Sequence, residues 1–501
     1  MLAGALTYNL KDMKNESFTF TDENIARLFG TEAAEDEDFD RLQSYYIKNK
    51  THEKVTADLP LRILVGHKGI GKSAIFTMAL HEDEVANKLS LKIKPDDIDG
   101  IGKNVTDFSE MIRAWKHGLI EIIVNKIAHN LGFSVSDEEY KSVLNATGKF
   151  LVFVKNLFQR KVDDSAIEDA SKLVINRFLQ DNRIVVYIDD MDRGWESKRD
   201  DIRRVSALLN AVRDLSNDNK GLHFRISLRS DVYYLVRTSD ESTDKIGNSV
   251  IWHSWTNHEI LILLIKRIET FFGRKVDIDA LRNTEQRHLS HYLDTVFEKK
   301  FMGQGKWENA PMYRILMSLI RKRPRDLVKL CTLAAKNADD KGNELISSVN
   351  LQNIFVEYSN DRIQDTINEY RSELPDISRL LFGMRPSRKE IKEGKGYIYD
   401  TNRIRAKIRA ISEQGHFKFT NGKEATPQDL LHFMYKINFI TARKETEDGY
   451  IDRKFFEENQ YLTSSFVDFG YDWEIHPAFR WAIEPNERDL FKKIELSRDE
   501  K

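Results

Sequence analysis

Cysteine is almost missing: a single one, Cys331, in 501 residues excludes an intrachain disulfide and points to a reducing compartment, the cytoplasm. Proline (9) and glycine (24) are too few for a collagenous or low-complexity chain. Long apolar runs are missing too. The most apolar stretch, Ile260 to Ile265, falls far short of the ~20 residues a membrane span needs, so no membrane association is expected. Met1 to Leu10 carries no basic residue and Lys11 interrupts any signal-peptide core, so no secretory signal is expected. Charge of one sign is lacking as well. Lys and Arg total 78 against 80 for Asp and Glu, a net charge of −2, so only a local patch would attract nucleic acid or anionic lipid.

What is present fits a multidomain globular chain, about three domains by length. Residues 1–55 read as a polar leader with one amphipathic piece, Ile25 to Phe29, and an acidic run, Glu35 to Asp38. Residues 56–255 read as an α/β core. Its apolar strands are Leu61–Val65, Ile184–Ile188 and Leu222–Leu228, near-continuous runs of the kind buried on both faces of a parallel sheet. A helical insertion is expected at about 104–181, where Met111, Trp115, Leu119, Ile122 and Ile123 follow 3.6-residue spacing. Residues 256–374 read as a helical lid, one helix opening with Pro324 in its first turn. Residues 375–501 read as a winged-helix-like α+β module, with a helix from Pro427 capped by Thr426. A hairpin should follow, Phe439–Ala442 with Tyr450–Ile451, turning at Glu447-Asp448-Gly449.

The run Gly66-His67-Lys68-Gly69-Ile70-Gly71-Lys72-Ser73 fits G-x-x-x-x-G-K-[ST] and lies between a buried strand and a helix. Such a strand must turn tightly into its helix while aiming backbone N–H groups at a polyphosphate, which glycines permit. The helix N-terminus adds the positive end of its dipole. Gly66, Lys68, Gly69, Ile70, Gly71, Lys72, Ser73 and the adjoining Ala74 are therefore the expected nucleotide-binding residues. Lys72 would reach the β- and γ-phosphates of ATP, and the Ser73 hydroxyl would ligate Mg²⁺.

Strand Ile184–Ile188 delivers Asp189 and Asp190 to the same region. Asp189 should hold Mg²⁺, and Asp190 should orient or deprotonate the attacking water. Asp192 and Arg193 follow, where they would also suit an ion pair that holds the turn. Arg229 ends the third strand at the edge where α/β proteins bind ligands. It would sense the γ-phosphate, reach a neighbouring subunit's site, or pair with Asp231 or Asp190.

Residues Val186 to Arg193 resemble the Asp-Asp-Leu-Asp-Arg signature of KAP and STAND-type P-loop NTPases. The leader from Phe29 to Glu37 is similar to that of a prokaryotic P-loop ATPase family allied to them. That family's loop reads Gly-Arg-Lys-Gly-Ser-Gly-Lys-Thr, where this chain has His67, Ile70 and Ser73 instead of Arg, Ser and Thr. Leu228 to Val232, Trp255, Arg323 to Leu327 and His476 to Phe479 also resemble family positions. The resemblance implies an AAA+-like architecture in which Arg325, in preference to Arg323, touches the γ-phosphate from the lid. It also implies an ATP-hydrolysing switch in a prokaryote, with a role in anti-phage defence, working through self-assembly or an effector protein. The alternative is a nucleic-acid-binding adaptor in which nucleotide is only a structural ligand. The basic segment 385–410, nine Arg and Lys against three acids, would then meet phosphate beside the C-terminal module.

Overall fold

The computed structural model of the chain describes residues 18–32, 36–86, 88–130, 154, 182–393, 396–460, 462, 470–484 and 486–500. Of the expected insertion, 131–153 and 155–181 lie outside the described residues, as do 1–17 and 33–35 of the leader, with Glu35 of its acidic run, and Lys395 of the basic segment.

Five strands form a parallel sheet: β1 (Leu61–Val65), β2 (Leu89–Ile93), β3 (Ile184–Ile188), β4 (Leu222–Leu228) and β5 (Val250–Trp252), in the order β2-β3-β4-β1-β5. The two-residue side-chain period divides each strand between two cores. Ile63 and Val65 of β1, with Ile184, Val186 and Ile188 of β3, pack beneath helices Phe108–Asn130 and Arg199–Asp218. Leu64, Val185 and Tyr187 face the other way, toward Ile75, Phe76 and Ala79 of helix Lys72–Val85. The buried Tyr187 hydroxyl donates to Asp83 of that helix at 2.7 Å, so its one polar atom is satisfied. Helices thus cover both faces, and the core is a P-loop NTPase α/β fold. The register places Val65 beside Leu228 and Ile188 beside Ile226. Gly66, Asp189 and Arg229, each one residue beyond its strand, therefore emerge at one sheet edge.

The stretch expected to be a polar leader folds into three helices, Asp22–Phe29, Phe39–Tyr45 and Lys50–Thr56. Each has a side-chain N-cap, from Thr21, Asp38 and Asn49 respectively. Helix Pro324–Asp340 carries its proline in the first turn, as expected, and packs against helix Ser348–Tyr370. Two-residue strands β6 (Lys300–Phe301) and β7 (Ala310–Pro311) interrupt the helical lid. A second sheet holds β8 (Ile398–Tyr399), β9 (Ile440–Glu445), β10 (Ile451–Lys454) and β11 (Asp472–Ile475), antiparallel in the order β10-β9-β11-β8. The expected hairpin is β9–β10, with Gly449 at φ 74° in its turn. Helix Pro427–Lys436 begins at the expected Thr426 cap. One cluster of buried apolar side chains runs from Phe20 through the lid to Leu496, so the C-terminal module shares the lid's core. Among the described residues, no helix is long and apolar enough to cross a membrane.

Candidate nucleotide-binding site

Gly69 (φ 76°) and Gly71 (φ 100°) take the left-handed backbone that the turn from β1 into helix Lys72–Val85 requires. Gly66 is required for a different reason: a Cβ there would sit 3.0 Å from Ile70 Cγ2 and 3.3 Å from the His253 carbonyl oxygen. Ile70 is buried, and its carbonyl accepts the Trp255 indole N–H at 2.8 Å, fixing the loop from the far side. Helix Lys72–Val85 starts with no side-chain cap on its first N–H groups. A Cβ on Gly71 would meet no heavy atom within 4 Å. An uncapped helix N-terminus facing open space is a cradle for an anion.

Lys72 folds back over this cradle, its Nζ donating to the carbonyls of Gly66 at 2.9 Å and His67 at 3.1 Å. Burial lowers its pKa from the ordinary lysine value, while Asp192 and Asp189 oppose that shift. Asp189 is buried, accepts the Ser227 hydroxyl, and accepts its neighbour's backbone N–H at 3.0 Å. Asp190 has φ 58°, unusual for a side-chain-bearing residue, and is exposed. The carboxylate withdrawn beside Lys72 is that of Asp192, whose side chain is 11% exposed. Burial raises its pKa above the ordinary carboxyl value, against the pull of Arg229 and Lys72. Its ion-pair partner is Arg229 at 3.3 Å; the pairing with Arg193 that their adjacency suggested is replaced by this longer-range one.

Arg229 is held inside its own chain. It pairs with Asp231 at 2.6 Å and donates to the Glu369 carbonyl at 3.0 Å, at the C-terminal, negative end of helix Ser348–Tyr370. Burial opposes its charge, but Asp231, Glu369 and Asp192 hold the guanidinium protonated far above neutrality. Of the lid arginines, Arg325 lies on the phosphate loop: its backbone N–H donates to the Gly69 carbonyl at 3.3 Å, and its stem fills the space a Gly69 Cβ would need. Its Nε is 3.5 Å from Glu32. Arg323 is buried away from the cavity, 3.7 Å from Glu369.

These groups line one cavity of about 560 Å³, within the size range of small-molecule sites. Lys68, Gly69, Gly71, Lys72, Ser73, Ala74, Asp189, Asp190, Arg229 and Arg325 all border it, which brings together most of the expected site; Gly66 and Ile70 support the loop from beneath. The cavity is also lined by Tyr45, Tyr46, Ile47, Leu263 and Arg267, none of which the sequence pattern marked as site residues. Arg267 is half-buried, its guanidinium 4.3 Å from the Tyr45 ring centroid. Tyr46 is fixed by a chain: its hydroxyl lies 2.8 Å from His52 Nδ1, and His52 Nε2 lies 3.0 Å from Glu82.

Among the described residues, no three His, Cys, Asp or Glu side chains converge as a self-sufficient metal site. Ser73 and Asp189 fit the other mode, in which Mg²⁺ takes one or two protein ligands and the rest from substrate phosphate. The basic segment is partly spent on internal contacts. Lys407 pairs with Glu390 at 2.8 Å, and Arg405 donates to Gln428 at 2.9 Å, leaving Arg385, Arg388, Lys389, Lys392 and Arg409 exposed. Helix Pro427–Lys436, which a DNA-reading winged helix would present, is buried, with Lys436 paired to Glu373 and His432 5.2 Å from the Tyr234 ring.

Residues 263–367 match the family model of the FunZ-associated C-terminal helical domain. The chain is similar to a putative transposon gamma-delta 80.3 kDa protein of Escherichia coli K12, 23% identical over 92% of this chain and 68% of that protein. Among solved structures it is similar to a Walker-type ATPase of Pyrococcus abyssi, 12% identical, covering 91% of this chain and 98% of that one with a TM-score of 0.41. It is also similar to the ORC2 protein of Aeropyrum pernix with ADPNP and ADP, 11% identical, covering 85% and 87% of the two chains with a TM-score of 0.39.

Proposed function

We propose that this chain binds ATP with Mg²⁺ and hydrolyses it, working as a molecular switch. The observation that carries this reading is the convergence of Lys72, Ser73 and Asp189 on one cavity, at an uncapped helix N-terminus with open space above Gly71. Phosphate oxygens would replace the Gly66 and His67 carbonyls as acceptors for Lys72, a stronger, charge-assisted pairing. Ser73 and Asp189 would hold Mg²⁺, which supplies neutralisation of phosphate charge. For the general base we assign Asp192 in place of Asp190. Its carboxylate is withdrawn from water beside Lys72 and shifted upward by burial, whereas Asp190 is exposed. A raised pKa brings a carboxylate closer to the working pH, which improves proton transfer. Tyr45 and Tyr46 would receive the base.

The switch itself would be the lid. Arg325 rests on Gly69 and faces Glu32, and a γ-phosphate would compete with that carboxylate for it. Arg229, locked among Asp231, Asp192 and Glu369, would act on its own site; donation to a neighbour would strip Asp231 and Asp192 of their guanidinium and leave Glu369 with Arg323 alone. Output through a second copy or an effector protein, and a role in prokaryotic anti-phage defence, complete the proposal on the strength of the signature resemblance. The adaptor alternative draws no support from the buried helix Pro427–Lys436. Steady-state phosphate release from Mg–ATP decides between them. Turnover that disappears in Asp192→Asn, with binding retained, supports the switch; binding without turnover in the wild type favours the adaptor.

A further inference from the structure

The second residue of the phosphate loop does not face the cavity. His67 is fully buried and its imidazole is contacted by three separate parts of the chain. Nδ1 lies 2.9 Å from the Tyr370 hydroxyl, at the end of lid helix Ser348–Tyr370, and 3.0 Å from Ser230 Oγ, at the start of the core helix Ser230–Ser239. Nε2 meets the carboxylate of Glu457, in the turn after β10 of the C-terminal module. A carboxylate only accepts, so Nε2 carries the hydrogen and the one Nδ1 lone pair is shared between the two hydroxyls. Burial, with Arg323, Arg321 and Lys72 nearby, pushes the imidazole pKa well below its ordinary value, so this neutral tautomer persists at physiological pH. Glu457 is itself fixed: its two oxygens accept from Asn438 Nδ2 at 3.1 and 3.2 Å, and Asn438 stands at φ 58° between helix Pro427–Lys436 and β9.

We propose that His67 is a positioning residue through which the C-terminal module sets the shape of the phosphate loop, and through which bound nucleotide is reported back to that module. The inference rests on the nucleotide-binding reading of the loop. Its physical basis is that the His67 side chain and the His67 carbonyl belong to one short segment. The carbonyl accepts from Lys72 at 3.1 Å. When Lys72 turns to a phosphate, the 66–67 carbonyls lose that donor and the segment is free to shift. The imidazole carries any shift to Glu457 and Asn438, since none of these three side chains has solvent to relax into. By reciprocity, loosening Glu457 alters nucleotide affinity by the same coupling free energy. The output surface of the switch would then be the C-terminal module of the same chain.

Glu457 does not line the cavity, so its replacement separates this idea from direct ligand contact. Full-length wild type, Glu457→Ala and Glu457→Gln are titrated with a fluorescent ATP analogue and Mg²⁺. Hydrogen exchange over residues 438–458 is followed with and without Mg–ATP. Glu457→Ala should bind about tenfold more weakly, within the usual range of coupling between sites. Glu457→Gln, which keeps the side chain's length and an oxygen against Nε2, should recover most of the loss. Nucleotide should change exchange at 438–458 in the wild type and not in Glu457→Ala. A merely structural role would move the melting temperature of Glu457→Ala without this nucleotide-linked difference, and that result overturns the proposal. So does wild-type affinity in Glu457→Ala. A wild type that binds no Mg–ATP overturns the nucleotide reading and this inference with it.

Discussion

Replacing Asp326 with Asn should unseat the lid. Asp326 is 1% exposed in the first turn of helix Pro324–Asp340, directly after the arginine that rests on Gly69. Its two oxygens accept from Arg321 Nε at 2.7 Å, Arg321 Nη2 at 2.9 Å, Arg362 Nη1 at 2.9 Å and the Arg321 backbone at 3.2 Å. Asparagine keeps one acceptor and turns an NH₂ donor toward guanidinium donors. Beyond that one acceptor, Arg321 retains the Thr366 hydroxyl at 3.0 Å, and Arg362 retains Asp365, which is 44% exposed. Breaking a buried pair by removing one partner costs about 3–5 kcal/mol, a large share of the ~5–15 kcal/mol that stabilises a domain. Urea unfolding followed by tryptophan fluorescence should show the midpoint falling by about 1–2 M at a slope near ~3 kcal/mol/M. Nucleotide affinity should fall too, because Arg325 loses its seat. The pH dependence carries a second check. Burial alone would raise the Asp326 carboxyl, yet Arg321, Arg362 and Arg323 hold it well below the ordinary range. A depressed folded pKa gives stability that is complete above the unfolded value of about 3.9 and is lost as pH falls toward the folded one. The wild type should therefore lose more stability than Asp326→Asn between about pH 4 and 2. A midpoint shift equivalent to under ~0.5 kcal/mol, the size of an ordinary surface substitution, would refute the cluster's role.

Further predictions concern the loop and its acids. Gly69→Ala and Gly71→Ala each force a side chain into left-handed backbone, costing roughly 1–2 kcal/mol. Only Gly69→Ala also places a Cβ 2.8 Å from the Arg325 stem, so its melting temperature should fall further; equal shifts would contradict the packing. Asp192→Asn should lower ATP turnover about 10²–10⁴-fold with Mg–ATP binding kept, while Asp190→Asn should retain most turnover; the reverse order returns the base to Asp190. Trp255→Phe leaves the buried Ile70 carbonyl without its donor and should cost about 1–3 kcal/mol, read by thermal unfolding.

How much was legible follows from how far each signal reaches along the chain. The phosphate loop, β1, β3 and β4 are local patterns, and each stands where its residues indicated. β2 escaped because Leu-Ser-Leu-Lys-Ile is short and half polar, and β5 because it has three residues. The leader misled by composition: its charged residues hide Tyr45 and Tyr46, which face inward only once helix Phe39–Tyr45 packs on the core. Arg229 was placed at the right edge, but its partner Glu369 lies 140 residues away and no spacing rule connects them. Arg267 carried one weak signal, its place in the pair Lys266-Arg267 that ends the apolar run Ile260 to Ile265. The C-terminal helix and hairpin were legible from cap and turn chemistry, while the burial of that helix against Tyr234 and Glu373 was not.

Calorimetric titration of Mg–ATP into the wild type and Lys72→Ala tests the central claim most directly. No second cation in the loop can take over from Lys72, because Lys68 is exposed on the turn and Lys72 alone donates beneath the cradle. One nucleotide should bind per wild-type chain, and Lys72→Ala should show no measurable heat while still unfolding cooperatively as a folded protein. Equal affinity in the two proteins, or no binding to the wild type, would contradict the assignment of this loop as the nucleotide site.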